Sequence, residues 1–200
     1  KLRGSWGTPI IEQIGDQTHL IVSHTRRISA YDPMTGKLQW TCGGLGPLAY
    51  TSPMLSQKTV MALGGYFGGS IAVDADGEGD VTETKRVWHK ERESSNWLGT
   101  GVAYEGHLYI CDMGGVAHCF HVATGELKWK ERLPGIGSGG ACWSSLTMAG
   151  DGVVYLMTQK GDAFVFRASP DGYEPIARNR MGENSNSSIV ISDGKLLIRT

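Results

Sequence analysis

The hydrophobic positions of this chain fall into short runs, none of them long. Five runs, HLIVSH (19–24), TVMALGG (59–65), HLYICDM (107–113), GVVYLMT (152–158) and KLLIRT (195–200), each follow a small polar turn. Four of them lead through a second tight turn into another run, RISAYD, GSIAVD, VAHCFH or DAFVFR. No segment sustains a period of about 3.6 residues, whereas brief Val/Ile/Leu/Tyr-rich stretches between glycine-bearing turns read as strands. DMGGVA and TQKGDA read as hairpin turns in which glycine supplies the positive φ.

The runs recur in register. A pair of small or hydroxyl residues opens each unit: Gly7-Thr8, Thr51-Ser52, Gly99-Thr100, Ser144-Ser145 and Ser187-Ser188, with second members 44, 48, 45 and 43 residues apart. Four strands in a unit of about 45 residues match one blade of a β-propeller. The expected architecture is therefore all-β: four-stranded antiparallel blades at about 5–48, 49–94, 95–138 and 139–182, with the start of a fifth at 183–200. That makes about four and a half blades, and the expectation is a piece of a longer ring.

One phrase is spelled twice, AYDPMTGKLQW (30–40) and CFHVATGELKW (119–129). It falls where the third strand of a unit turns into the fourth. Asp32 is placed to accept backbone N–H groups inside that turn, Gly36 to close it, and Trp40 to pack between neighbouring blades. The corresponding positions are Asp74 and Trp88 in the second unit, and Gly125 and Trp129 in the third. The pattern resembles the blade signature of the quinoprotein-like (pyrroloquinoline-quinone-like) propeller repeats, in which that tryptophan docks one blade on the next. The first unit carries it in full (Ala30, Asp32, Thr35, Gly36, Trp40). The third has Cys119 and His121 at the small and acidic positions. The second is lengthened by ADGEGDVTETKR (75–86), the acidic stretch DADGEGD (74–80) being read as a solvated turn, and the fourth has lost the phrase. The resemblance implies a ring of seven or eight blades.

Composition narrows the function classes. Glycine, 29 of 200 residues, is about twice its ordinary share of roughly 7%. The net charge is −1 with no like-charge block, so no nucleic-acid footprint is expected. No apolar run approaches the roughly 18 residues of a membrane span. The chain opens KLRGSWG, without an initiator Met or a visible signal peptide, and is read as a mature product or an excised piece.

The resemblance also raises a quinone-dependent alcohol or sugar dehydrogenase, which implies adjacent cysteines forming a disulfide, a calcium held by carboxylate and amide oxygens, and an aspartate base. Cys42, Cys111, Cys119 and Cys142 include no adjacent pair and no CxxC, and DADGEGD (74–80) lacks the distal glutamate of a calcium loop. No catalytic residue, metal site or cofactor is therefore assigned, with PQQ and calcium kept as the alternative. Cys111 and Cys119 flank a hairpin and are expected nearly opposite one another, as two free thiols in preference to a disulfide. His118 faces away from Cys119 and His121 by strand alternation. His19 and His107 are taken to precede the second strands, and Ser144 and Ser145 lack a nucleophile context. Trp6, Tyr50, Trp97 and Trp143, at the starts of innermost strands, are the candidate ring of binding aromatics at the channel mouth. The reading is a non-catalytic scaffold for a protein or peptide partner, with a periplasmic or secreted location implied by the resemblance. A sensor domain of a larger protein is the third possibility.

Overall fold

The computed structural model describes residues 4–66, 68–137 and 142–200; the expected boundary between the third and fourth blades, at 138–139, lies outside them. Among the described residues there is no helix, and the strands form successive four-stranded antiparallel sheets. The first blade comprises β1 (Ile10–Ile14), β2 (Gln17–His24), β3 (Arg27–Tyr31) and β4 (Leu38–Gly43). The second is built from β5 (Met54–Ser56), β6 (Thr59–Leu63), β7 (Ser70–Asp74) and β9 (Arg86–Lys90), with β8 (Gly79–Asp80) in its long corner. The third holds β10 (Val102–Tyr104), β11 (His107–Cys111), β12 (Val116–His121) and β13 (Leu127–Arg132). The fourth holds β14 (Thr147–Met148), β15 (Val153–Met157), β16 (Asp162–Arg167) and β17 (Glu174–Arg180). A two-stranded sheet of β18 (Val190–Ser192) and β19 (Lys195–Leu197) follows.

The chain divides into two compact units, Lys1–Trp97 with Val122–Gly125, and Leu98–His121 with Glu126–Thr200. Each has its own core. In the first, Ile21, Ile28, Trp40 and Cys42 of the first blade bury against Val60, Ile71 and Val73 of the second. In the second, Tyr109, Cys111 and Cys119 bury with Val154, Phe164 and Phe166. Middle strands such as β6, β7 and β11 are covered on both faces, which is why they read as unbroken apolar runs. The outer strand β17 is exposed at every residue, and β13 at all but one.

The paired small residues are stitches. The second member of a pair accepts a backbone N–H from the same position one blade earlier: Thr8 N donates to Ser52 Oγ (2.9 Å), Thr100 N to Ser145 Oγ (3.0 Å) and Ser145 N to Ser188 Oγ (2.9 Å). The first member, where it has a hydroxyl, clips its own second strand. Thr51 Oγ1 donates to Leu63 O (2.9 Å) and accepts from Leu63 N (3.2 Å); Ser144 Oγ does the same with Met157 (2.6 and 3.2 Å). Gly7 and Gly99 occupy the first position where the next blade's carbonyl, Thr51 O or Ser144 O, leaves no space for a Cβ.

Each third-to-fourth-strand pairing shifts register at one place: Ala30/Tyr31, Ala72/Val73, Cys119/Phe120 and Val165/Phe166. The cross-strand partners just before that bulge are Ala30 and Trp40, Ala72 and Trp88, Cys119 and Trp129, Val165 and Ala177. A small side chain thus lies opposite each indole. The fourth blade, which lacks the tryptophan, has exchanged the sizes, with valine facing alanine.

Three local expectations are corrected. His19 lies inside β2 and His107 begins β11, so both are strand residues; the turns before them are Gly15-Asp16 and Glu105-Gly106. The lengthened corner of the second blade is no plain solvated turn: β8 pairs parallel with the outer strand β4, Trp40 with Gly79 and Thr41 with Asp80. Thr82 Oγ1 fixes it by accepting from Gly43 N (2.9 Å), so the insert covers an edge that has no pairing strand in the other blades among the described residues. Finally, Trp6 does not open a strand; it is joined to Ala49 by one backbone bond (2.8 Å), and β1 begins at Ile10.

Candidate functional site

The corner residues take up structural positions. Asp32 Oδ1 accepts from Met34 N (2.9 Å) and Thr35 N (2.8 Å), and the Thr35 backbone N–H, ahead of its hydroxyl, holds the carboxyl below its usual range. Gly36 has φ of 71° and donates to Asp32 O (2.8 Å). The bond that shuts this corner, Asp32 N to Lys37 O (2.8 Å), recurs as Asp74 N to Lys85 O (3.0 Å) and His121 N to Glu126 O (2.8 Å). The second blade therefore carries its insertion entirely inside that clasp. The Asp74 carboxylate binds Thr59 Oγ1 (2.8 Å) and Lys58 Nζ (2.8 Å).

Two indoles are tethered. Trp88 Nε1 donates to Val122 O (2.7 Å), and its ring lies where a Cβ on Gly125 would sit. Trp129 Nε1 donates to Ser169 O (2.8 Å), with Tyr173 edge-on at 6.2 Å. Trp40 is fully buried against Val73, Ala75 and Val81, yet its Nε1 has no acceptor. The residue that follows the clasp in the second blade, Ala75, donates its own N–H to Lys58 O (3.0 Å).

The four aromatics expected to ring a channel mouth have different fates. Trp97 is buried, with 1% of its surface accessible, and offers no platform. Trp143, in the second unit, is 48% exposed. Trp6 and Tyr50 come together: their rings stack at 4.5 Å with planes 8° apart. A third ring, not anticipated from the sequence, completes the group. Tyr66 meets Tyr50 edge-on at 5.4 Å and is held at φ of 47°, a left-handed backbone costly for a bulky residue. Trp6 is 58% exposed and Tyr66 46%. Burial, then Tyr66, raises the Tyr50 hydroxyl pKa. The three segments are tied by main-chain bonds, Trp6 N to Ala49 O (2.8 Å) and Gly65 N to Leu48 O (3.2 Å). Only the spacing of Trp6 and Tyr50 at matching repeat positions was visible beforehand; Tyr66 follows a strand end that carries no repeat signal.

The other candidate chemistry stays dispersed. Cys111 pairs with Ala117 and Cys119 with Tyr109, so the two thiols are not opposite each other, and all four cysteines are buried thiols. His118 Nε2 lies 3.3 Å from Asp112 Oδ2, whereas His121 faces His107 with ring centres 5.4 Å apart. Among the described residues no three His, Cys, Asp or Glu side chains converge as a metal-ligand set. The sequence contains no two adjacent cysteines.

Recurrent four-stranded sheets, tryptophan-docked corners and a bulge at one fixed place define a quinoprotein-like β-propeller segment. The chain belongs to the family whose model is described as outer membrane protein assembly factor BamB, which matches residues 24–172, roughly three quarters of its length. No curated protein matches the sequence. Among solved structures, BamB from Moraxella catarrhalis superposes with a TM-score of 0.67 at 13% identity over 92% of this chain and 52% of that one. Quinohemoprotein alcohol dehydrogenase ADHIIG from Pseudomonas putida HK5 gives 0.70 at 14% over 98% and 38%. The quinohemoprotein alcohol dehydrogenase from Comamonas testosteroni gives 0.67 at 18% over 98% and 39%. The chain thus spans about half or less of these relatives' lengths, and at such identities the likeness is one of fold.

Proposed function

We propose that this propeller segment is a non-catalytic scaffold that binds an extended peptide stretch of a protein partner on the Trp6–Tyr50–Tyr66 surface. The observation that carries the reading is that surface: a stacked indole and phenol with an edge-on third ring, exposed at both ends and fixed by main-chain bonds. Flat, rigid aromatic faces gain contact area with little loss of side-chain entropy, and they favour proline rings and extended backbone. Membership in a family described as an outer membrane assembly factor supports a protein partner and a periplasmic or exported location. The quinone-dependent reading rests on shared fold, and the donor set described above does not favour it.

The test is selection of 12-residue peptides displayed on phage, followed by calorimetric titration with the selected sequences. Enrichment of proline- and aromatic-containing peptides, lost in Trp6→Ala and Tyr66→Ala but kept in Trp143→Ala, is expected. Selected peptides that bind equally well to Trp6→Ala, or stoichiometric uptake of PQQ with calcium, would overturn the proposal.

A further inference from the structure

Three of the four cysteines lie in the core of the second unit, and their surroundings separate them. Cys119 lies across from Tyr109 in the strand pairing. Cys111 ends β11 and Cys142 lies in the segment leading to β14, 31 positions later. Cys142 N donates to Met113 O (3.1 Å), which fixes its backbone two residues beyond Cys111. Burial first and then the neighbouring Cys142 thiol raise the Cys111 thiol, both side chains are almost wholly buried, and the same apolar residues, Ala117, Leu133 and Ile136, belong to their cluster. Cys42, by contrast, belongs to the core of the first unit.

We infer that Cys111 and Cys142 are a disulfide pair that staples the second strand of the third blade to the entry of the fourth. A small disulfide such as oxidised glutathione is the oxidant. One cysteine thiolate attacks it and expels one glutathione thiolate. The other then attacks the protein sulfur of the mixed disulfide and expels the second. Two thiols are oxidised to one S–S bond, and one glutathione disulfide is reduced to two thiols. Burial raises the Cys111 thiol well above its ordinary pKa and withholds the thiolate from solvent. The bridge therefore closes while the chain folds, not by attack on the finished core. The chemistry does not depend on the peptide-binding reading.

The whole chain is unfolded in denaturant, refolded in a glutathione redox buffer, alkylated after a second unfolding in denaturant, and digested with trypsin without reduction. Cys111 and Cys119 share the tryptic peptide 93–128 and Cys142 lies in 133–160. Cross-linking of these two peptides with loss of two hydrogens, retained in Cys119→Ala and absent in Cys111→Ala, is the expected result. The oxidised protein should melt roughly 5–10 °C above the reduced form. Alkylation of both Cys111 and Cys142 in the refolded wild type, or a bridge that survives Cys111→Ala, would overturn the assignment. Thiol mapping of the wild type decides the matter even where a variant fails to fold.

Discussion

Thr51 offers the sharpest test of the stitching scheme. It is fully buried, and its hydroxyl is both donor to Leu63 O and acceptor from Leu63 N. Thr51→Val keeps the shape and removes the hydroxyl, leaving a buried carbonyl and a buried N–H without partners. Each orphan costs about 1–3 kcal/mol, and the added methyl returns up to about 0.8 kcal/mol, so a net loss of about 1–6 kcal/mol is expected. Thr51→Ser keeps the hydroxyl and loses one methyl, which costs about 0.5–1.5 kcal/mol. Urea unfolding followed by tryptophan fluorescence should rank the variants wild type, Ser, Val. Amide exchange at Leu63 should accelerate in the valine variant alone, because only there is the N–H released. A valine variant as stable as wild type, with serine the more damaged, would show that the site is held by packing and refute the hydroxyl clip.

Two further outcomes follow from the same structure. Gly99→Ala drives a Cβ into Ser144 O and should cost about 1–3 kcal/mol or more, while Gly150→Ala, in open space, should be neutral or gain up to about 1 kcal/mol; matched melting curves check the contrast. Asp32, Asp76 and Asp80 have folded-state pKa values below the ordinary 3.8, chiefly through Thr35 N–H, Lys85 and the Thr82 hydroxyl respectively. Their contribution is complete above the unfolded value and is lost as pH falls through the lower folded one. The urea midpoint should therefore hold at neutral pH and drop below about pH 4, less steeply in Asp32→Asn.

The turn chemistry was readable because it is local. Asp32, Thr35 and Gly36 act within six residues, and short apolar runs with glycine turns leave few alternatives to strands. The cysteines and the aromatic surface were less legible. A thiol's partner depends on register and on segments 31 positions apart, and Tyr66 meets Tyr50 from a backbone conformation that composition does not signal. Trp97 shared its repeat position with exposed aromatics and yet is buried.

By itself the sequence determined the all-β class, the blade period and the corner design, since these rest on side-chain alternation, turn conformers and volumes repeated along one chain. Tertiary structure alone decided which hydroxyl meets which backbone N–H, which small residue faces each corner's tryptophan, and how the β8 insert pairs along Trp40 while its indole nitrogen stays unpartnered. Those outcomes depend on distances between segments some 40 residues apart, and such distances exist only once the sheets are packed.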